Sequence, residues 1–270
     1  MTAIKPILLL LTCLLIYTCN SEMPEEKAPT QKASVAVEEV DTYLAQDTFS
    51  IDFLMGKYNP ADHPAFDLID IKHADRAGLY IHKETYAAFK KMYAAAAADG
   101  VNLVIRSATR NFESQKGIWE AKWNGSRKIE NGKDASVAYP DPKVRALTIL
   151  KYSSMPSTSR HHWGTDIDLN SFNNEWFESG KGLKLYNWLQ EHAAEYGFCQ
   201  TYTAKDAKRP NGYNEERWHW SYLPIANILT AKAKRELDNS MIQGFLGHEV
   251  APEINVVSNY VLGINQACQP

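Results

Sequence analysis

Two short polar blocks, far apart in the chain, constrain the fold of this sequence more than any other feature. Residues 159–168 read Ser-Arg-His-His-Trp-Gly-Thr-Asp-Ile-Asp, and residues 216–219 read Glu-Arg-Trp-His. Successive side chains of an extended segment point to opposite faces, so Asp166 and Asp168 share a face while the aliphatic residues beside them take the other. The end of the first block therefore predicts a half-buried strand whose polar face lines a cleft.

The second block predicts a similar strand over residues 218–222, with His219 facing opposite to Trp218 and Trp220. Elsewhere the spacing of apolar residues, the helix caps and the glycines predict five helices, over 83–99, 111–123, 141–152, 183–196 and 225–237. Two further strands are predicted over 101–105 and 198–202, and a surface loop over 124–139. Short strands mixed with helices predict an α+β fold: a small antiparallel sheet carrying the polar site, flanked by helices.

The chain divides by composition into four parts. Residues 1–19 combine Lys5 with a short apolar run and predict an export signal of the lipoprotein type, in which Cys19 carries the lipid; ordinary signal cleavage is the alternative. Residues 20–50 are rich in Glu, Ala, Pro, Thr and Ser and predict a flexible tether. A folded domain over 51–224, which contains both polar blocks, and a C-terminal helical extension over 225–270 complete the expected organisation.

This organisation predicts an exported protein of the bacterial cell envelope, periplasmic and lipid-anchored, whose contact with a membrane is limited to Cys19. The sequence has a net charge of −3 and no Lys/Arg cluster, so we expect no nucleic-acid partner. Disulfides persist outside the cytoplasm, so Cys199 and Cys268 could pair; the alternative is a buried Cys199 and a free Cys268.

The polar blocks hold the donors of a catalytic zinc site, which takes three protein ligands and leaves a fourth position for water. We expect the ligands to be His161, Asp168 and His219. Glu216 lies three residues before a ligand, where its carboxylate could act as the general base toward that water. Asp166 shares a face with Asp168, so it could support the site or compete with Asp168 as a ligand.

The two polar blocks resemble those of the VanY-type D-alanyl-D-alanine carboxypeptidases, whose pattern reads Ser-x-His-x-x-Gly-x-Ala-x-Asp and then Glu-x-x-His. A third family element, an Arg followed five residues later by a Gln, corresponds to Arg110 and Gln115. The resemblance favours His161 over the adjacent His162 as a ligand. The chain departs from the pattern at the usual small residue, which is Asp166 here.

The resemblance also implies the roles of the remaining site residues. Arg110 would bind the free α-carboxylate of the substrate, because its planar guanidinium matches a carboxylate in two hydrogen bonds. Gln115 and Ser159 would make polar contacts to the peptide, and Ser159 could instead orient His161. Glu216 would be the catalytic base.

The implied activity is a zinc-dependent carboxypeptidase that removes the terminal D-Ala from peptidoglycan stem peptides. Related enzymes that act as L,D-carboxypeptidases or peptidoglycan endopeptidases use the same ligand set, so specificity stays open. An alternative of another class is a non-catalytic lipoprotein that binds cell-wall peptide. Such a protein would not need Glu216 or all three ligands, and the sequence retains every one of them.

Overall fold

The structure is a computed structural model that describes residues 49–270. The predicted signal over 1–19, its Cys19 and nearly all of the predicted tether over 20–50 lie outside the described residues. Within the described range, none of the helices combines the length and the apolarity that crossing a membrane requires.

Short strands and helices follow one another in mixed order along the described chain. The helices are α1 (Ile51–Leu54), α2 (Lys83–Ala98), α3 (Phe112–Trp123), α4 (Ala135–Ala138), α5 (Pro142–Ile149), α6 (Gly180–His192), α7 (Leu223–Glu236) and α8 (Ala251–Ile254). The strands are β1 (Phe66–Leu68), β2 (Tyr80–His82), β3 (Ile105–Ser107), β4 (Asp166–Leu169), β5 (Phe198–Gln200) and β6 (His219–Tyr222). Short 3₁₀ turns, including Arg160–Trp163, connect several of them.

The strands form two antiparallel sheets, which confirms the predicted α+β class. β1 pairs with β2, and the larger sheet has the order β3-β4-β6-β5. In this sheet Asp168 of β4 lies directly opposite His219 of β6, and Asp166 lies opposite Ser221. Directly opposed residues in an antiparallel pair have neighbouring side chains on the same face. The two polar blocks of the sequence therefore meet at the centre of the sheet.

Local capping explains where two of the helices begin. The side chain of Asn111 accepts a hydrogen bond from the backbone N–H of Ser114 and begins α3. Asp141 caps α5 in the same way, and Pro142 occupies its first turn, where a missing N–H costs nothing. Both starting points agree with the sequence prediction, since a cap depends only on neighbouring residues.

The apolar face of the larger sheet forms the main core. Ile167 and Trp220 from adjacent strands are buried there with Phe89 of α2 and Leu189 of α6. Burying each side chain of this size contributes roughly 1.5–3 kcal/mol. This packing holds β4 and β6 rigidly, so their opposite face offers fixed positions for polar groups.

The opposite face of β4 is covered as well, which corrects the expectation of a half-buried strand. All four residues of β4 are buried. Arg160 lies against this face, bonded to Asp166 on β4 and to Thr230 on α7. α7 therefore covers the Asp166 end of the polar face, and of the two aspartates of β4 it is Asp168 that lines the cleft.

Two further predictions require correction. The strand expected over 101–105 is found at Ile105–Ser107, because Asn170 bonds to both the backbone N–H and the backbone C=O of Val104 and replaces a strand partner there. The loop expected over 124–139 contains α4, whose Ala135 is fully buried.

The last residues of the chain pack onto the sheet. Cys199 of β5 and Cys268 form a disulfide with their Cα atoms 5.8 Å apart. The backbone N–H of Asn265 also donates to the C=O of Thr201, at 2.9 Å. The predicted extension over 225–270 is thus tied to the strand beside β6.

Candidate metal centre and its cleft

Two histidines and one aspartate converge at the end of β4 and β6. His161 Nε2 lies 3.2 Å from Asp168 Oδ2, and His219 Nδ1 lies 3.0 Å from Asp168 Oδ1. The two imidazole rings are perpendicular, with centroids 4.8 Å apart. One donor atom from each residue lies within 4.8 Å of the others, and all three residues are buried. The structure thus brings together the three side chains predicted as metal ligands.

The spacing of these donors fits a four-coordinate divalent metal. Ligand atoms about 2.0–2.2 Å from a tetrahedral ion lie roughly 3.3 Å from one another. His161 Nε2 and His219 Nδ1 lie 3.2 and 3.0 Å from different oxygens of Asp168, close to that separation, and one donor atom from each of the three residues lies within 4.8 Å of the others. Two imidazoles and a carboxylate also leave one coordination position for water. The donor set is therefore suited to a catalytic metal.

His161 is held by a turn that requires glycine. It lies in the 3₁₀ turn Arg160–Trp163, which ends at Gly164 with φ +71°. A Cβ atom at Gly164 would lie 2.4 Å from Cε1 of Phe66. On the other side, His161 Nδ1 lies 2.8 Å from the backbone C=O of Ala108. Because a carbonyl only accepts, Nδ1 carries the proton and Nε2 presents its lone pair to the other ligands.

His219 is oriented by hydrogen bonds at both ring nitrogens. Nδ1 faces Asp168, and Nε2 lies 2.8 Å from Oδ2 of Asp166. Burial alone would lower the pKa of His219, but the bonds to Asp166 and Asp168 outweigh it and raise that pKa to about 9. The same imidazoles hold the pKa of the Asp168 carboxyl far below its usual range, although its burial acts in the opposite direction.

Asp166 is not positioned as a metal ligand. It approaches His219 from the Nε2 side, whereas Asp168 and His161 lie on the Nδ1 side, so the imidazole ring separates Asp166 from the cluster. Its other partners are Arg160, Thr165 and Ser221. The alternative that Asp166 replaces Asp168 is therefore disfavoured by the geometry.

His162 is also occupied elsewhere. Its Nδ1 lies 2.6 Å from the backbone C=O of Arg110, and its Nε2 accepts from the backbone N–H of Ser157 at 3.1 Å. Burial lowers its pKa to about 3, so the ring is neutral and both nitrogens are used. His162 thus supports the loop of Arg110 while its neighbour His161 faces the cluster.

Glu216 lies beside the cluster. Its Oε2 is 3.6 Å from His219 Nδ1, and its backbone N–H donates to the C=O of Tyr202. The preceding loop is held by the buried Arg209, which donates to the C=O of Tyr213 at 2.9 Å. Burial raises the pKa of Glu216 to about 8, and the negative charge of Asp168 adds to the effect. A carboxyl group with a pKa near neutrality can both accept and return a proton.

A cleft of about 880 Å³ opens over these residues. Arg110 lines it, and burial lowers the pKa of its guanidinium while Asp168 and Glu216 oppose that shift. Its Nε is buried and has no hydrogen-bond partner within residues 49–270. Ser159 also lines the cleft, and its buried Oγ is likewise without a partner in the described structure. Both groups are therefore available to a bound molecule.

Gln115 is the predicted site residue that the structure does not bring to the cleft wall. On α3 the cleft is lined by Ser114, Ile118 and Lys122, which repeat every four residues along one helix face. Gln115 lies one position further round and is fully buried, where its Nε2 donates to the C=O of Ser154 at 2.7 Å. Its amide therefore supports the wall rather than lining the cleft.

Sequence reasoning missed Lys122. Its ammonium donates to Ser153 in the cleft wall. Burial lowers its pKa to about 8, and the positive charges of Arg127 and Arg110 act in the same direction. The i+4 and i+8 spacing from Ser114 was the signal that could have found it. Together with Arg110, it gives one wall of the cleft a positive character.

Comparison with known proteins agrees with this arrangement. The family model of VanY, described as D-alanyl-D-alanine carboxypeptidase, matches residues 78–225. A D-alanyl-D-alanine carboxypeptidase of Enterococcus faecalis (strain ATCC 700802 / V583) is 29% identical over 134 residues, which cover 50% of this chain and 45% of that enzyme. YodJ of Bacillus subtilis (strain 168) is 29% identical over 174 residues, covering 63% of this chain and 56% of that protein. The chain thus spans about half the length of these curated relatives.

Two solved structures are also similar. One is a variant of the vancomycin resistance D,D-pentapeptidase VanY in complex with Zn(II), with 24% identity, coverage of 70% of this chain and 91% of that chain, and a TM-score of 0.45. The other is the LdcB LD-carboxypeptidase, with 23% identity, coverage of 62% and 70%, and a TM-score of 0.47. These scores are too low to carry an assignment of specificity.

Proposed function

Because the chain belongs to the VanY family of D-alanyl-D-alanine carboxypeptidases, we propose that it is a zinc-dependent D,D-carboxypeptidase that removes the terminal D-Ala from peptidoglycan stem peptides. The observation that carries the proposal is the placement of Glu216 beside His161, Asp168 and His219, in a cleft that Arg110 also lines. These groups supply a metal site, a base and an anion anchor in one cavity.

In this proposal His161 Nε2, an oxygen of Asp168 and His219 Nδ1 hold the ion. Bound there, zinc would lower the pKa of a water molecule and polarise the scissile carbonyl. Glu216 accepts the proton of the attacking water and returns it to the leaving amine, so the same carboxyl acts as base and then as acid. In the metal-free structure burial raises the pKa of Glu216 to about 8, and the positive charge of a bound ion would lower it, so that the carboxylate could accept the proton at neutral pH.

Substrate recognition would depend on the groups that lack partners in the cleft. Arg110 would bind the C-terminal carboxylate in a two-pronged arrangement, since its Nε has no partner among the described residues. Ser159 Oγ would contact the peptide backbone. Arg110 is half-buried, so water would screen its attraction to a substrate carboxylate less than at a fully exposed arginine.

We also propose that the protein is exported and lipid-anchored in the bacterial envelope, where its substrate is found. The support comes from the apolar segment before Cys19 in the sequence. The Cys199–Cys268 disulfide is consistent with an oxidising compartment.

The test is mass spectrometry of defined stem peptides after incubation with the full chain, with and without a chelator. Loss of one alanine from the pentapeptide alone, prevented by the chelator and restored by zinc, would support the D,D-carboxypeptidase. Trimming of the tetrapeptide would assign an L,D-carboxypeptidase, and internal cleavage an endopeptidase. Intact peptides in the presence of bound zinc would favour the peptide-binding alternative.

A Glu216→Gln variant tests the mechanism. We expect it to bind zinc and peptide but to lose nearly all turnover, because an amide cannot accept the proton. Ser114→Ala is a matched control, since Ser114 lines the same cleft without belonging to the metal cluster. Substantial turnover by the glutamine variant would contradict the assignment of Glu216 as the base.

A further inference from the structure

A buried network of polar side chains lies behind His219, on the side away from the metal cluster. Its centre is Asp166, whose side chain is fully buried. Oδ2 lies 2.8 Å from His219 Nε2 and 3.2 Å from Arg160 Nε. Oδ1 accepts from the hydroxyls of Thr165 and Ser221, at 2.8 and 2.6 Å. Both oxygens of the carboxylate are thus fully bonded.

Arg160 offsets the free-energy cost of burying the Asp166 carboxylate. A lone buried charge is strongly unfavourable unless it is paired and its remaining hydrogen-bonding groups are satisfied. The guanidinium of Arg160 donates to Asp166, to Ser221 Oγ at 3.1 Å and to Thr230 Oγ1 at 2.8 Å. It also lies over the ring of Trp163, 4.4 Å from the centroid. The sequence thus supplies the compensating cation next to His161.

The bond from His219 to Asp166 decides which ring nitrogen can bind a metal. A neutral imidazole carries one N–H, and only the other nitrogen offers a lone pair. Both nitrogens of His219 face a carboxylate, Asp166 at Nε2 and Asp168 at Nδ1, but only the Nδ1 side also holds His161. A metal bound on that side would take the lone pair of Nδ1, and the ring's one proton would lie on Nε2, which donates to Asp166. Nδ1 is then left with its lone pair directed toward Asp168 and His161, where the metal would be held.

We propose that Asp166 is a positioning residue that fixes the tautomer and ring orientation of His219 and thereby tightens metal binding. Arg160 serves the same purpose by holding the Asp166 side chain in place. The VanY-type pattern has a small residue at this position. The hydrogen bond from His219 to Asp166 is therefore a feature of this chain that the family pattern does not include. The inference rests on the proposed metal site, but not on the specificity of the peptidase.

The test measures zinc affinity of the full chain by competition with a chromophoric chelator. We expect Asp166→Ala to bind zinc roughly 10- to 100-fold more weakly, the range typical of losing a carboxylate behind a metal-bound histidine. Thr85→Ala is the control, because Thr85 is fully buried and its hydroxyl has no hydrogen bond within the described structure, so it lies outside the network around Asp166. We expect its zinc affinity to stay close to that of the wild type.

A second readout separates positioning from a general structural effect. Two-dimensional NMR of protein labelled with nitrogen-15 in its histidines reports which ring nitrogen is protonated, and we expect the Nε2–H form for His219 in the zinc-loaded wild type. Asp166→Asn retains an acceptor oxygen, so it should keep this tautomer and bind zinc with intermediate affinity. It also serves as the test if Asp166→Ala does not fold.

The outcomes separate the two proposals. Unchanged zinc affinity in Asp166→Ala, or an equal loss in Thr85→Ala, would overturn the positioning role while leaving the metal site intact. Protonation of Nδ1 in the zinc-loaded wild type would overturn it as well. A wild type that binds no zinc would overturn the metal site itself, and the positioning role with it.

Discussion

The disulfide between Cys199 and Cys268 should make a large contribution to stability. It closes a loop with a sequence separation of 69 residues, so reduction releases that much of the unfolded chain from a constraint. The chain-entropy treatment gives about 4 kcal/mol at 25 °C for a loop of this length. In a domain of this size, such a loss would lower Tm by roughly 8–16 °C.

The perturbation is the double substitution Cys199→Ser and Cys268→Ser. Serine is suitable at 268 because the sulfur lies 3.2 Å from the C=O of Gln200, which a hydroxyl can reach as a donor. Tail contacts such as the bond from Asn265 N–H to Thr201 C=O remain in the variant. The difference therefore reports mainly on the unfolded state.

Urea denaturation in the presence of a chelator would measure the change without a contribution from bound metal. We expect the variant to have a lower free energy of unfolding and a larger m-value, because its unfolded chain exposes more surface. Wild-type protein treated with a reductant should reproduce both effects. A loss below about 1 kcal/mol with an unchanged m-value would refute the loop-closure reasoning.

Four further predictions concern the cleft and its supports. In the metal-free protein, burial raises the pKa of Glu216 to about 8 in the folded state. The stability that this group contributes is therefore present below its unfolded pKa and is lost as the pH rises through about 8. Urea unfolding measured against pH should show this decline in the wild type and a flatter profile in Glu216→Gln. Arg110→Met should lower kcat/KM roughly 100-fold or more on a peptide with a free carboxylate, and much less on the C-terminal amide, which steady-state kinetics would measure. Gly164→Ala should lower Tm more than Gly78→Ala, because both glycines have positive φ but only at Gly164 would the new Cβ meet a neighbour; equal losses would show that the close packing at Gly164 does not matter. Lys122→Met should raise KM for acidic stem peptides at pH 7 and have little effect above pH 9, because the pKa of this lysine is lowered to about 8; a KM ratio that does not vary with pH would argue against an electrostatic role.

Predictions that depended on neighbouring residues agree well with the structure. The helix predicted over 83–99 is found at Lys83–Ala98, and the one predicted over 111–123 is found at Phe112–Trp123. Alanine propensity, caps and glycine stops act within a few residues, so they can be recognised in a linear chain. The strand predicted over 101–105 was displaced because Asn170, distant in sequence, bonds to the backbone there.

The site residues likewise divide into those that local patterns predicted correctly and those whose position depends on tertiary packing. Alternation along the polar blocks predicted that Asp168 and His219 would face one cleft, and the structure brings them opposite each other on adjacent strands. Gln115 was expected to contact substrate, yet a helix turns each residue by about 100° from the one before. Ser114 therefore faces the cleft and Gln115 faces the interior, and the packing of α3 decides which of them does so.

The polar groups available to the site, the α+β class and the family of the chain could all be predicted from its residues alone. The position of Asp166 behind His219 instead of beside Asp168, and the pairing of Cys199 with Cys268, became known from the folded chain. Both depend on contacts between segments that are distant in the sequence. Arg160 holds Asp166 partly through Thr230, 70 residues away, and no local pattern records where α7 will pack.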